Sequence, residues 1–174
     1  MEIVAVLFSL ISVWLTSKNN ILCWPTGIIG IIAFSCVFYT KGEFANFWLQ
    51  GLFLIQSIYA WINWGKNNDI KYLKKTEIFN ISIYLIPTLF IISYLTIKST
   101  HPVLDTITAT LSIFGMFLLL FRKIEAWYFW ILADILYIIL FLKDDLYLSS
   151  LVYIIFLVMS IYGYKNWKKI KNGI

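Results

Sequence analysis

The chain has 174 residues, of which 61% are hydrophobic, 19% aromatic and only 13% charged, with a formal net charge of +5. The charged residues fall in short breaks between long apolar runs, which excludes an ordinary water-soluble domain and points to a membrane protein. A closed β-barrel is excluded too, because stretches such as "IFNISIYLIPTLFIISYL" lack the alternation of polar and apolar residues that barrel strands require.

A helix needs about 20 mostly apolar residues to cross the hydrocarbon core. On that measure the chain is predicted to be a single all-α domain over residues 1–174, with seven spans at roughly 2–17, 21–39, 44–64, 77–97, 103–121, 125–142 and 146–164. The first, "MEIVAVLFSLISVWLTSK", opens with Glu2 rather than a basic region and shows no small-residue cleavage pattern, so it is expected to remain as an uncleaved span. The second holds both cysteines, Cys23 and Cys36, whose spacing fits no metal motif and which read as small buried residues. It also carries Trp24, Gly27 and Gly30, where the glycines suit either close backbone approach to a ligand or helix packing.

The third span contains Gln50 and Gln56 and ends "SIYAWINW". A buried amide donates and accepts at once, which suits a carboxamide or ribose hydroxyls, while a hydrogen bond between helices fits Gln56 equally well. Pro87 falls in the middle of the fourth span, where a kink is expected and a hinge or a tolerated irregularity are both open. The fifth begins after His101 and Pro102, with Asp105 placed to cap the helix or favour its positive end. No zinc site, activated nucleophile or phosphate-cradling glycine loop is present in the sequence, which argues against an enzyme and against any metal or cofactor.

With seven spans, Lys41, Lys98 and Lys143 fall on one side and the other eleven basic residues on the other: Lys18, Lys66, Lys71, Lys74, Lys75, Arg122, Lys123, Lys165, Lys168, Lys169 and Lys171. The positive-inside rule then places the amino terminus outside and the carboxyl terminus in the cytoplasm. Topology accounts for the basic charge, so nucleic acid is not expected as a partner.

The seventh span ends "SIYGYKNW", five of eight positions identical to the end of the third, 103 residues earlier. The same ungapped offset pairs Phe53 with Phe156, Leu54 with Leu157, Ile28 with Ile131, Trp24 with Trp127 and Ser9 with Ser112. Aromatic belts alone do not explain a register held across three helices and their loops. A duplication is expected, with repeat 1 at about 2–64, a linker helix at about 77–97 and repeat 2 at about 103–167. Two triplets joined by one linking helix point the same way through the membrane, a parallel repeat of the kind that places a substrate site near the midplane.

In the sixth span, "WYFWILAD" puts Asp134 at membrane depth, where a carboxylate costs about 2.5 to 3.5 kcal/mol on insertion scales. Trp127, Trp130 and Asp134 at i, i+3 and i+7 fall on one helix face. Two ring systems beside a carboxylate suit a flat cationic ligand. Taken singly, Trp127 could be an interfacial anchor and Asp134 the partner of a lysine or tyrosine. In repeat 1, Trp130 and Asp134 correspond to Gly27 and Ile31, so an asymmetric site is expected.

The segment "VLDTITATLSIFGMFLLLFRKIEAWYFWILADILYI" resembles the second repeat of the PnuC-type nicotinamide riboside transporters, whose sixth core helix carries W-x-x-W-x-x-x-(N or D), supplied here by Trp127, Trp130 and Asp134. "FWLQGLFLIQSIYAWINW" resembles that family's glutamine-bearing helix, with Gln50 on its substrate-facing glutamine, Ala60 in place of a usual glycine and Ser57 where an asparagine often stands. The resemblance covers essentially the whole chain. It implies a SWEET-like fold of seven transmembrane helices in a 3+1+3 arrangement, a homotrimer in the bacterial inner membrane, and facilitated diffusion of nicotinamide riboside followed by phosphorylation in the cytoplasm. It implies substrate contacts at Trp127, Trp130, Asp134 and Gln50; Trp24 is expected to close the site from the other half, and Asp105 and Tyr59 are further candidates. Thiamine, also cationic, is the alternative substrate, and proton coupling through Asp134 or Asp105 is the alternative mechanism; a partner subunit of a larger assembly is the reading from a different class.

Overall fold

The computed structural model describes residues 1–42, 44–66 and 69–173. The helices are α1 (Glu2–Ser17), α2 (Cys23–Thr40), α3 (Phe44–Lys66), α4 (Lys75–Thr96), α5 (Pro102–Leu120), α6 (Ala126–Lys143) and α7 (Tyr147–Asn172). The protein is an all-α membrane protein: α2, α5, α6 and α7 are each long and apolar enough to cross a bilayer. Among the described residues the only β pairing is a single bridge between Lys71 and Lys123.

Most boundaries lie within a few residues of the predicted spans, and the exception has a plain cause. Hydropathy ends the last span near residue 164, yet α7 runs on to Asn172 through Lys165, Lys168, Lys169 and Lys171. Lysine is a good helix former and its charge is favourable at a helix carboxyl end, so the helix outlasts the apolar stretch. It stops where Gly173 adopts the left-handed conformation, φ 72°. At the other kind of end, Pro102 occupies the first turn of α5, where its missing N–H removes no helical bond. α4 continues through Pro87.

Contacts between helices follow a pattern. Within the first triplet α2 packs on α1 and on α3; within the second, α6 packs on α5 and on α7. The triplets meet where α1 touches α7 and where α3 touches α5, and α4 lies against α5. Exchanging α1, α2 and α3 for α5, α6 and α7 maps these six contacts, α4 aside, onto one another.

The loops repeat as well. Asn19 and Arg122, 103 residues apart, are both left-handed, with φ of 53° and 51°. Asn19 N–H donates to the Thr16 carbonyl at 2.8 Å and Arg122 N–H to the Leu119 carbonyl at 3.0 Å. Asn20 and Lys123 donate equivalently to Leu15 and Leu118, each at 3.0 Å. Asparagine tolerates this conformation, whereas arginine pays roughly 1 kcal/mol or more for it.

A tryptophan at the end of each third helix fastens the triplets together. Trp64 of α3 donates its indole N–H to the Leu119 carbonyl of α5 at 3.2 Å, and Trp167 of α7 donates to the Thr16 carbonyl of α1 at 2.9 Å. Each triplet thus grips the first helix of the other. The rings join in one cluster: Trp24 meets Trp64 edge-on at 5.0 Å, Trp127 meets Trp167 edge-on at 5.4 Å, and Trp64 and Trp167 lie 5.8 Å apart. All four are buried, at the lysine-rich end of the bundle.

The segment before α4 is tied to the second triplet. Lys71 N–H donates to the Arg122 carbonyl at 3.0 Å and the Lys71 carbonyl accepts from Ile124 at 3.1 Å. Leu73 N–H donates to the Glu125 carboxylate at 2.9 Å, and Lys123 pairs with Glu77 at 2.7 Å.

Replacing Trp167 by Phe keeps most of the ring contact but removes the indole donor to α1. The expected loss is about 1 to 3 kcal/mol of unfolding free energy, read by denaturant or thermal unfolding in detergent.

Candidate functional site

Asp134 is the ninth of the 18 residues of α6, at the middle of a helix about 27 Å long. It is buried, 3% exposed, and accepts a hydrogen bond from the Ser160 hydroxyl of α7 at 2.9 Å. Among the described residues no cationic side chain pairs with it. Burying an ion without a counter-ion is costly, and one serine hydroxyl compensates only part of that. In the first triplet the same two positions hold Ile31 and the buried Ser57, so the carboxylate belongs to the second triplet alone.

Aromatic side chains surround this position. Tyr137 lies one turn beyond Asp134 on α6, and its ring is 4.6 Å from that of Tyr153 on α7. Tyr137 faces Ser112 and Thr108 of α5, and both tyrosines lie within electrostatic range of Asp134. Phe141 closes the stack, 5.9 Å from Tyr137 and 5.2 Å from Tyr153.

Trp130 is half-buried one turn toward the lysine-rich end, with its indole edge on Gly115 of α5. Trp127, a further turn along, has its ring against Gly163 of α7, where a Cβ would come within 2.5 Å of the ring atoms. The two tryptophans share a helix face by spacing, yet they lie against different neighbours, one on α5 and the other on α7. Trp24 and Trp127 join the buried tryptophan cluster, and Trp130 packs against its rim. Both Trp24 and Trp127 keep a buried indole N–H without a hydrogen-bond partner among the described residues.

The remaining predicted residues are more dispersed. Gln50 is half-buried on α3, in a stretch whose Leu49 and Phe53 pack against Ile92, Ala109 and Ile113 of α4 and α5. Asp105 is half-buried in the first turn of α5. Tyr59 is half exposed, its ring against Phe121. Gln56 has a buried amide oxygen with no hydrogen-bond partner among the described residues. Among the described residues no three His, Cys, Asp or Glu side chains are grouped to hold a metal ion.

Below the cluster, on the loop between α5 and α6, Arg122 is buried with its guanidinium 4.0 Å from the Trp64 ring centroid. Its Nη2 donates to the Trp64 carbonyl at 3.4 Å. Burial draws its pKa below the ordinary arginine value, opposed by the fields of Cys23 and Asp69.

The model of the nicotinamide mononucleotide transporter family matches residues 1–169. The chain belongs to this family, that of the PnuC-type transporters. It is 20% identical over 200 residues to the nicotinamide riboside transporter PnuC of Escherichia coli, covering 95% of this chain and 84% of that protein. It is 26% identical over 187 residues to the nicotinamide riboside transporter PnuC of Neisseria mucosa, covering 96% and 71%. A crystal structure of the vitamin B3 transporter PnuC has the same fold, with a TM-score of 0.75 and 22% identity over 98% of this chain and 81% of that one.

Within this family member, sequence reasoning passed over Ser160, Tyr137 and Tyr153. Two signals could have found the tyrosines. Tyr137 follows Asp134 by three residues and so shares its helix face. Tyr153 occupies the position equivalent to Gln50 at the 103-residue offset.

Gly163→Ala forces the Trp127 ring to move. An overpacking loss of about 1 to 3 kcal/mol is expected in thermal unfolding, with a shifted tryptophan emission spectrum.

Proposed function

We propose that the chain carries nicotinamide riboside across the bacterial inner membrane by facilitated diffusion, the substrate then being trapped by phosphorylation in the cytoplasm. The observation that carries this reading is Asp134: a buried carboxylate at mid-helix, with no cationic side chain paired to it among the described residues and three aromatic residues nearby. A pyridinium ring supplies the missing positive charge, and its flat face suits Trp130, Tyr137 and Tyr153. Gln50, from the other triplet, reads a polar substituent such as the carboxamide or a ribose hydroxyl. Asp105, in the first turn of α5, lies toward the outer mouth, and Tyr59, beside Phe121, lies nearer the cytoplasmic end.

In this proposal all seven helices span, in two parallel triplets joined by α4, with the lysine-rich end in the cytoplasm as the positive-inside rule directs. The tryptophan cluster then closes the cytoplasmic exit. Alternating access opens it when the triplets rock, with Trp24 and Trp64 parting from Trp127 and Trp167. The homotrimer implied by resemblance is part of the same reading. Thiamine fits the charge argument equally, and the buried Asp134 keeps proton coupling as the second mechanism.

Uptake of labelled nicotinamide riboside into proteoliposomes decides among these. Uniport requires equilibration to the external concentration with no ion gradient imposed; accumulation above that level, driven by a proton gradient, would establish coupling instead. Trp130→Ala and Asp134→Ala are each expected to reduce binding by about 10- to 100-fold, the scale of a lost charge-assisted or cation–π contact. Unchanged uptake would remove those residues from the site.

A further inference from the structure

The two triplets solve one packing problem in opposite ways. Where α1 crosses α2, the paired residues are Ser12 and Gly27, and a Cβ on Gly27 would lie 2.8 Å from the serine Oγ. At the equivalent crossing of α5 and α6 the pair is Gly115 and Trp130. The glycine has changed helices. A Cβ on Gly115 would lie 3.1 Å from Trp130 Nε1, 3.2 Å from its Cε2 and 3.3 Å from Phe129 Cβ.

We infer that Gly115 is a positioning residue: it leaves room for the Trp130 indole edge against α5 and so fixes the ring's place in the substrate wall. The inference rests on the proposed transport function, because Trp130 acquires a role there through the substrate. Gly115 is buried inside a helix, where glycine is less favourable than alanine, so its presence calls for a steric reason. A generic reason exists, since small residues let membrane helices approach closely. The two differ in a measurable way. Close approach of the backbones serves the fold whatever residue stands at 130, whereas positioning matters only while Trp130 is there to be positioned.

A double-mutant cycle separates them. Gly115→Ala is expected to weaken nicotinamide riboside binding to the purified protein by about tenfold, as the indole is displaced by a few tenths of an ångström. In the Trp130→Phe background, with its smaller ring, the same substitution should change binding by less than about twofold. The ligand-free protein gives an independent readout: Gly115→Ala should alter the near-ultraviolet circular dichroism of the wild type but not of the Trp130→Phe variant. If Gly115→Ala alone fails to fold, the double variant is expected to recover a folded protein. The inference is overturned if Gly115→Ala leaves both binding and the dichroism of the wild type unchanged, if its effect is equally large in both backgrounds, or if the double variant stays unfolded. A wild type that binds no nicotinamide riboside would refute the proposed substrate, while the dichroism cycle would still decide the role of Gly115.

Discussion

Two indole N–H groups hold this bundle in register. Lipid is as apolar as a leucine side chain, so membrane helices gain little from burying apolar surface against each other, and association falls to packing and to hydrogen bonds between helices. Trp64 and Trp167 provide both, each delivering a ring and a donor from one triplet into the end of the other. Because the two bonds are related by the internal repeat, the interface between triplets resembles that of a symmetric dimer, in which one patch is used twice. The carbonyl acceptors sit just before the left-handed turns at Asn19 and Arg122, so the loop conformation and the tryptophan grip belong to one construction. In the second triplet Arg122 adds its guanidinium against the Trp64 ring.

Symmetry at the lysine-rich end gives way to asymmetry at mid-depth. The frame residues Trp24 and Trp127 are shared, whereas Gly27, Ile31, Phe34 and Gln50 correspond to Trp130, Asp134, Tyr137 and Tyr153. The second triplet carries the carboxylate and three of the four rings; the first offers Phe34 and smaller apolar or neutral polar groups. A frame supplied twice permits this division, because one half can then vary. The asymmetry reaches α4, whose leading segment is bound to the loop of the second triplet through Lys71, Leu73 and Glu77. α4 is thereby coupled to the second triplet, on whose α5 it also packs.

Much of this was legible in the sequence because its causes are local. Long apolar runs forecast the helices, and Asp134 stood out because a charge at that depth is expensive without a use. The residues matched at the ungapped 103-residue offset can be read directly along the chain. What escaped were pairings across helices. Ser160 is an unremarkable serine until α7 sets it 2.9 Å from Asp134. Trp64 and Trp167 stood out only as matching helix ends 103 residues apart, since a periodic pattern does not show which carbonyl an indole will reach. Trp127 was grouped with Trp130 on spacing, yet Gly163 draws its ring toward α7 and Gly115 admits the Trp130 ring toward α5. Likewise the end of α7 was misjudged because hydropathy reports the membrane boundary, and a lysine-rich helix continues past it.

The central claim is that the buried carboxylate of the second triplet selects for positive charge on a flat ring. Calorimetric titration of nicotinamide riboside, thiamine and riboflavin into the same purified protein tests it most directly, because the first two are cationic and the third is neutral. The expected result is binding of nicotinamide riboside, with riboflavin giving no heat of binding at comparable concentration. Riboflavin bound as tightly as the cations, or neither cation bound at all, would contradict it.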